Sequence, residues 1–244
     1  MSSRMTHRLV RESIAPAALA QPFLDELWAF ATDFVSRSRE AFEAALRKFE
    51  IISVWRDRES GRMLGFAANQ AVDLVVDGQP VVVIYSGWAW LAREIRGLNL
   101  IQAEGLRCYL LVKLRHPLRP VFWVFGASTY KSYLLLPRNL RDYFPRREMP
   151  WPRFHLAIRD SLMATMADPH WDPIAGVVHR HGASRYREGV VKDDAAVLGD
   201  PDVAFYASAN PGQDEGDTLL ALVPLSAENW LAVVGSAVKR ILRR

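Results

Sequence analysis

Apolar residues recur at helical spacing in two segments near the start of the chain. After Pro22, and again after residues 36–38, they return every three or four positions, a pattern that predicts an amphipathic helix. The apolar positions are Leu24, Leu27, Trp28, Ala31 and Phe34 in the first segment, and Phe42, Ala45, Leu46 and Phe49 in the second. The chain is therefore predicted to begin with two helices that each bury one face.

Four β-rich segments follow these helices and predict two hairpins. Residues 51–56 and 63–68 flank a polar loop that ends at Gly61. Residues 72–76 and 81–90 flank a second loop that contains Asp77-Gly78, a strong signal for a tight hairpin turn. These four segments predict antiparallel strands.

The segment 81–136 has the pattern of a strand, a short turn, a helix, a second strand and a second helix. The turn carries Arg96-Gly97, the first helix is predicted from Asn99 to Arg115 and to be largely buried, and 121–125 is a short buried strand. Strand, helix and strand predict a parallel pair with a right-handed crossover. Backbone N–H groups at the start of such a helix can hold an anion such as phosphate.

The remaining chain is predicted to be an irregular segment followed by a strand pair and a helix. Residues 137–200 are rich in proline, arginine and histidine, with one predicted helix at Phe154–Met166, and are interpreted as an insertion or lid. Residues 203–208 and 218–225 are predicted to form the final hairpin. The basic amphipathic helix at 228–244 can lie on an anionic membrane, bind an acidic carrier protein or cap the sheet.

Composition favours one soluble domain over 1–244. Half of the 244 residues are hydrophobic and 24% are charged, enough apolar surface for a substantial core. The excess of 31 − 27 = 4 basic residues suits an anionic ligand, but no nucleic-acid motif accompanies it and no nucleic-acid partner is expected. The lone Cys108 excludes an internal disulfide and favours a reducing, cytoplasmic location.

The order of these elements resembles the GNAT superfamily of acyl-CoA-dependent N-acyltransferases. The resemblance covers about residues 20–136 well and the final hairpin loosely, and it also rests on the diphosphate-binding turn. That turn runs Arg/Gln-x-x-Gly-x-Gly/Ala in the family and is Arg96-Gly97-Leu98-Asn99-Leu100-Ile101 here. The resemblance implies an α/β domain with a mixed, mostly antiparallel sheet of six to seven strands flanked by helices.

The turn departs from the family pattern at both later small positions. Asn99 can adopt a left-handed backbone or cap the helix, whereas Ile101 is β-branched. This departure favours the divergent branches that make N-acyl amino acids or acyl-homoserine lactones. The resemblance then implies a thioester donor, either acyl-CoA or the phosphopantetheine of an acyl carrier protein, and a small amine as acceptor.

The resemblance also assigns roles to particular residues. The donor would lie along Tyr85, Ser86 and Gly87, with its phosphates at Arg96, Gly97, Leu98 and Asn99 and near Lys131. Tyr130, or else Tyr133, would protonate the leaving thiolate, and both also suit a core position. Asp73 and Glu94 are the candidates for the general base, with a surface role or a relayed water as the alternative.

Two further groups of residues are candidates for a function. The histidines His155, His170, His179 and His181 invite a metal site, but the spacing of known metal motifs is absent and no metal is expected. Aromatic residues are dense around the predicted donor groove and would stabilise a long acyl chain or simply pack the core; they are Tyr85, Trp88, Trp90, Tyr109, Phe122, Trp123 and Phe125.

A non-catalytic protein of the same fold is the alternative to an enzyme. Such a protein would bind a partner or a membrane through its basic C-terminal helix. A measurement of thioester turnover distinguishes the enzyme from the non-catalytic binding protein.

Overall fold

In the part of the chain that the structure describes, one mixed sheet of eight strands forms the centre. The computed structural model describes residues 8–15, 19–182, 185–186 and 199–242. In the described chain the strands are β1 (Leu9–Ile14), β2 (Val35–Ser36), β3 (Ile51–Asp57), β4 (Met63–Val76), β5 (Gln79–Leu91), β6 (Val121–Ala127), β7 (Trp171–Asp172), β8 (Val177–Val178), β9 (Arg185–Tyr186) and β10 (Thr218–Pro224). The main sheet has the order β1-β3-β4-β5-β6-β10-β8-β7, and β2 pairs separately with β9.

Helices cover both faces of this sheet. They are α1 (Gln21–Ala31), α2 (Arg39–Leu46), α3 (Leu100–Arg115), α4 (Tyr130–Tyr133), α5 (Leu135–Asn139), α6 (Arg153–Met166), α7 (Pro201–Ala209) and α8 (Ala227–Leu242). Side chains of α1, α2 and α6 pack on one face, which we name the α1 face. Side chains of α3, α4 and α7 pack on the other, the α3 face. Alternate strand residues point to opposite faces, so Val83 joins the α1 face and Ile84 the α3 face.

The predicted α/β class and the mostly antiparallel mixed sheet are confirmed. Among the described strands, only β5 and β6 pair in parallel, and α3 connects them, as the strand–helix–strand pattern predicts. The sheet has more strands than predicted because the segment before α1 adds β1 at one edge, and the two-residue strands β7 and β8 add to the other.

Both predicted hairpin turns are present, but the two strands predicted at 63–68 and 72–76 are one continuous strand, β4, which takes part in both hairpins. β3 pairs with β4, and β4 pairs with β5 across the turn at Asp77 and Gly78. These two residues have φ of 49° and 77°, as a type I′ turn requires. The helix predicted at 154–166 is also present as α6.

The predicted final hairpin is wrong, because residues 203–208 form part of helix α7. Asp200 caps this helix by accepting the backbone N–H of Asp202, and Pro201 occupies its first turn, where proline is well tolerated. Val203 and Tyr206 then lie one turn apart and are buried. The predicted strand at 218–225 does exist as β10, but it pairs with β6 and β8 instead.

The prediction that α3 is largely buried is also wrong. Leu106, Leu110 and Leu114 are 41%, 52% and 81% exposed, whereas Glu104, Cys108 and Val112 are buried. These buried residues recur every four positions on one stripe, and Leu106, Leu110 and Leu114 form a second stripe that faces away from the sheet.

A buried ionic cluster around Glu104 fixes α3 against the far edge of the sheet. Arg11 of β1 donates to both carboxylate oxygens at 2.7 and 2.9 Å, Ser53 of β3 donates at 2.8 Å, and Arg107 adds a third charged donor. The pKa of Glu104 falls to about 2, because these donors outweigh the effect of burial. The helix start is therefore held in one position relative to β1 and β3.

The predicted basic helix at 228–244 is present as α8 through Leu242. Its last residues, Arg243 and Arg244, lie outside the described residues, as do 187–198 within the predicted insertion. None of the described helices has the length and apolar character needed to cross a membrane.

Candidate functional site

The parallel strands β5 and β6 separate halfway along the sheet. Their register runs from Val82 opposite Val121 to Ser86 opposite Phe125 and then ends. Beyond it, residues 87–91 of β5 follow β4 alone, while the end of β6 follows β10. A gap therefore opens between the two strands at their carboxyl ends, where α4 and the turn before α3 begin.

A β-bulge lies at the point of separation. In the β4–β5 ladder Asn69 faces Ser86 and Ala68 faces Trp88, so Gly87 has no opposite residue. The ring of Phe49 covers Gly87 so closely that a Cβ there would lie 1.9 Å from Phe49 Cζ. The predicted break at Ser86-Gly87 is thus a bulge that only glycine fits, and glycine also serves here as a packing residue beneath an aromatic ring.

A small polar network ties the strands together just before they separate. Trp123 Nε1 donates to Ser86 Oγ at 2.9 Å, and Ser86 Oγ donates to Asn69 Oδ1 at 2.6 Å. The Asn69 amide nitrogen is buried and has no hydrogen-bond partner among the described residues. A buried unpaired N–H is costly, so this group is a donor available to a polarised carbonyl. Asn69 and Gln70 interrupt the apolar first part of β4, and this was the signal that sequence reasoning missed.

The start of α3 is the second element of the site. Gly97 and Asn99 both have left-handed backbones, with φ of 82° and 58°. Helix α3 begins at Leu100, and no side chain caps it in the described structure. Its first N–H groups carry the positive end of the helix dipole, an arrangement that can bind phosphate.

The side chains of the turn itself are mostly occupied by packing. Arg96 Nε donates to the Leu91 carbonyl at 2.9 Å, and its guanidinium lies 6.0 Å from the centre of the Phe34 ring. Leu98 and Ile101 pack on a buried apolar cluster of the α3 face. The β-branched Ile101 therefore contributes to the core. A groove of about 750 Å³ runs beside this turn, with Arg96 and Phe34 in its wall.

The two candidate tyrosines differ in environment. Tyr133 is fully buried and its hydroxyl donates to the Pro145 carbonyl at 3.2 Å, and burial raises its pKa. Tyr130 is half-buried at the first position of α4, directly after β6. The ammonium of the exposed Lys131 lies 5.5 Å from the Tyr130 ring centre. Only Tyr130 combines partial exposure with a position at the end of β6.

The two candidate bases lie apart from the separation point. Asp73 is at the hairpin end of β4, with its side chain 63% exposed, and accepts a hydrogen bond from Arg119 at 2.7 Å. Glu94 is in the turn after β5 and lines the groove. It forms an ion pair with Arg62, which lowers its pKa. The structure thus brings neither carboxylate to Ser86 and Gly87.

A group of charged residues that sequence reasoning missed lies on the α1 face of β5. Arg37 stands over Trp88, with the guanidinium carbon 5.4 Å from the ring centre. Arg180 donates to Asp168 at 3.1 Å, and this pair acts electrostatically on both Arg37 and Tyr85. Burial lowers the pKa of Arg37 and raises that of Tyr85. These residues are far apart in the sequence and belong to no recognised sequence motif, so nothing in the sequence indicated that they would meet.

The histidines of the irregular segment form a structural contact with the sheet. His179 Nδ1 lies 2.6 Å from Asp217 Oδ2, and the hydrogen bond to Asp217 raises the pKa of His179. The rings of His170 and His181 pack nearby, whereas His155 lies elsewhere against Phe122 and Phe144. In the part of the chain that the structure describes, no group of three or more ligating side chains could hold a metal ion.

The predicted aromatic groove is divided between the two faces of the sheet. Tyr85, Trp88, Trp90 and Phe122 belong to the α1 face, and Tyr109, Trp123 and Phe125 to the α3 face. Trp90 and Phe122 are largely buried by their neighbours. The aromatic residues therefore do not line one common groove, because they pack on opposite faces of the sheet.

Comparisons with known proteins find only distant similarity. No protein-family model matches the chain, and no curated protein matches it. An aminoglycoside acetyltransferase, HMB0005 from an uncultured soil metagenomic sample, is 18% identical with a TM-score of 0.39, over 59% of this chain and 99% of that one. A chain of the NatC complex bound to Gag peptide and CoA is 12% identical with a TM-score of 0.43, over 90% and 99%.

A third solved structure is the AtaT mutant toxin bound to the C-terminus of the antitoxin AtaR and acetyl-CoA. It is 12% identical with a TM-score of 0.36, over 52% of this chain and 81% of that one. One of these three neighbours is an acetyltransferase by name, and the other two structures hold CoA or acetyl-CoA. Similarities this weak carry no argument about the function of this chain.

Proposed function

We propose that this protein is an N-acyltransferase that moves an acyl group from a phosphopantetheine thioester to an amine. The observation that carries the proposal is the separation of the parallel strands at the Gly87 bulge, next to the uncapped start of α3. This combination offers a slot for an extended thiol arm and an anion site where the arm would continue into phosphate.

The slot suits the amide-bearing arm of the donor. Residues 87–91 lack a strand partner on their β6 side among the described residues. An extended ligand can add to such an edge through main-chain hydrogen bonds. In this proposal the diphosphate of CoA meets the backbone of Gly97, Leu98 and Asn99 at the start of α3, and Arg96 and Lys131 supply positive charge.

Transfer needs no covalent enzyme intermediate. The amine attacks the thioester carbonyl, the C–N bond forms, the C–S bond breaks, and the proton lost by the amine balances the one gained by the thiolate. The Asn69 amide is a candidate to polarise the carbonyl, and Tyr130 is the proposed proton donor. Cys108 is a poor nucleophile because burial raises its pKa to about 11.

The proposal extends to the base and to the type of donor. Glu94 lines the groove beside the turn but is paired with Arg62, and Asp73 is paired with Arg119, so a relayed water is our preferred route for the amine proton. CoA and an acyl carrier protein share the same thiol arm. An anion site at the start of α3 favours CoA, whose diphosphate it would bind.

The direct test is thiol release from a panel of acyl-CoA and acyl-carrier thioesters with varied amines. We expect release with at least one pair, and a sharp loss in Y130F with little change in Y133F at equal folding. A thioester that raises the melting temperature without any thiol release would favour the non-catalytic binding protein. Neither release nor a thermal shift with any thioester would contradict the proposal.

A second measurement tests the diphosphate site. We expect R96Q to raise KM for acyl-CoA about tenfold, since a hydrogen bond to a charged group contributes about 1.5–3 kcal/mol. The KM for acyl-pantetheine, which lacks the diphosphate, should change little. R93Q is the matched control, because Arg93 is exposed in the same turn. An equal effect on both donors would show that Arg96 only holds the turn.

A further inference from the structure

A row of exposed leucines runs along the outer side of α3. Leu106, Leu110 and Leu114 are 41%, 52% and 81% exposed, and Leu118, just beyond the helix, is 94% exposed. Residues four apart are neighbours on a helix, so the first three form one strip about 12 Å long, which we name the leucine row. Single exposed leucines are common, whereas contiguous exposed apolar surface marks a contact with a partner or a membrane.

Positive charge lies on both flanks of the leucine row. Arg107 and Lys113 are three residues before and three residues after Leu110, which places them on opposite sides of it on the helix surface. The Lys113 ammonium donates to the carbonyls of Pro117 and Arg119 at 3.3 and 2.7 Å. Neutral carbonyls leave its charge uncompensated, so a cation borders the row on each side.

No acidic side chain of α3 offsets these cations at the surface. Glu104 is the one acidic residue of the helix. It is buried and shared between Arg11 and Arg107, so one of these two positive charges remains in excess. Asp73, on the same face, is paired with Arg119. An apolar strip with basic flanks is complementary to a layer of lipid phosphates above an apolar interior.

Two other partners fit the leucine row less well. In a symmetric pair of α3 helices, residues near the two-fold axis meet their own copies. An axis at the row would bring the Lys113 side chains of both copies together, with no exposed acidic residue from either α3. An acyl carrier protein would have to dock near the start of α3, where the thioester arm is proposed to enter. The exposed fraction of the row instead increases towards the other end of the helix.

We infer that this protein docks on an anionic lipid surface through the leucine row, with α3 parallel to that surface. The leucine side chains enter the boundary between headgroups and acyl chains, and Arg107 and Lys113 keep their charges at the level of the lipid phosphates. This contact goes beyond the proposed transfer reaction, because the row lies outside the residues that form the candidate site. It also differs from a contact made by the basic end of α8.

Co-sedimentation of the full chain with vesicles tests this contact. The vesicles are pure phosphatidylcholine, or equal parts of phosphatidylcholine and anionic phosphatidylglycerol. We expect binding to the mixture, and weaker binding to pure phosphatidylcholine. L114S should weaken binding to the mixture about tenfold or more, because docking would remove a largely exposed leucine from water. K113Q should weaken it about fivefold, the effect of one cation near an anionic membrane.

I174S is the matched control for L114S. Ile174 is 96% exposed and lies in the turn between β7 and β8, at the other edge of the sheet. We expect I174S to bind vesicles like the wild type. Both side chains are largely exposed, so both variants should keep the wild-type melting temperature, and a loss of binding in L114S then reports the surface and not the fold.

Several results would overturn the inference. The wild type would fail to bind the anionic vesicles, or would bind pure phosphatidylcholine equally well. L114S would bind as tightly as the wild type, which would assign membrane contact to another surface such as α8. Without vesicle binding, a dimer that L114S dissociates in sedimentation velocity would assign the row to a second copy, and an acidic carrier protein that binds the wild type but not L114S would assign it to that partner.

Discussion

Replacing Gly87 by alanine is the sharpest perturbation of the bulge. The added Cβ would lie 1.9, 2.5 and 3.0 Å from the three outer carbons Cζ, Cε1 and Cε2 of the Phe49 ring. All three distances are far inside normal carbon contact, so either the ring or the strand must move. The backbone at Gly87 does not have a positive φ, and no conformational strain adds to this clash.

The ring of Phe49 has little room to move. It is 8% exposed, stacks on Tyr85 at a centroid distance of 6.0 Å and tilts against Trp88 at 5.8 Å. Overpacking of this kind costs about 1–3 kcal/mol. Alanine also lowers the conformational entropy of the unfolded chain relative to glycine, which offsets about 0.5–1 kcal/mol of this cost. We therefore expect G87A to lower the free energy of unfolding by about 1–2 kcal/mol.

Urea unfolding of G87A and G105A measures this difference. Gly105 lies inside α3 and a Cβ there meets nothing within 4 Å, so G105A should instead stabilise the protein by about 0.5–1 kcal/mol. In a double-mutant cycle, F49L should relieve most of the cost of G87A. The reasoning fails if G87A is as stable as the wild type, or if its cost is the same in the F49L background.

Two predictions concern buried and pH-sensitive charges. E104Q should cost about 3–5 kcal/mol in urea unfolding at pH 7, because Arg11 is left partly buried without its charged partner. The lowered pKa of Glu104, about 2, means that this contribution is present above about pH 4.5 and is lost as pH falls towards 2; a deficit that persists undiminished in acid would contradict it. The hydrogen bond to Asp217 raises the pKa of His179, so the contact of protonated His179 with Asp217 stabilises the fold. This stabilisation is fully present below about pH 6.5 and is lost as pH rises through the pKa of the folded state. The melting-temperature difference between the wild type and H179N should therefore shrink from pH 6 to 9, and a constant difference would refute the ionic contact.

The fold was predictable where short segments decide their own conformation. Asp77-Gly78 specifies a tight turn whatever surrounds it, and both residues adopt positive φ. The Arg96-Gly97 turn and the helix after it follow from local signals in the same way. Gly87 among bulky neighbours indicated a break in β5, and the bulge lies there.

Prediction failed where two conformations have similar local signals. Residues 203–208 combine aromatic and β-branched residues, which favour a strand, but the Asp200 cap and the buried stripe of α7 decide for a helix. Glu104 lies in a helix whose sequence contains several polar residues, so nothing local indicates that it is buried. Its burial depends on Arg11 of a distant strand. A carboxylate can be buried only where such donors meet it.

The sequence by itself determined the order of most strands and helices, the tight turns and the turn before α3, because these depend on spacing and on backbone preferences within a few residues. Only the tertiary structure decided which side chains meet at the gap between β5 and β6. Arg37, Trp88 and Arg180 come from three separate segments, and the sheet brings them to one face. Electrostatic interactions and burial depend on distances in space, so the interactions among these side chains arise only when the chain is folded.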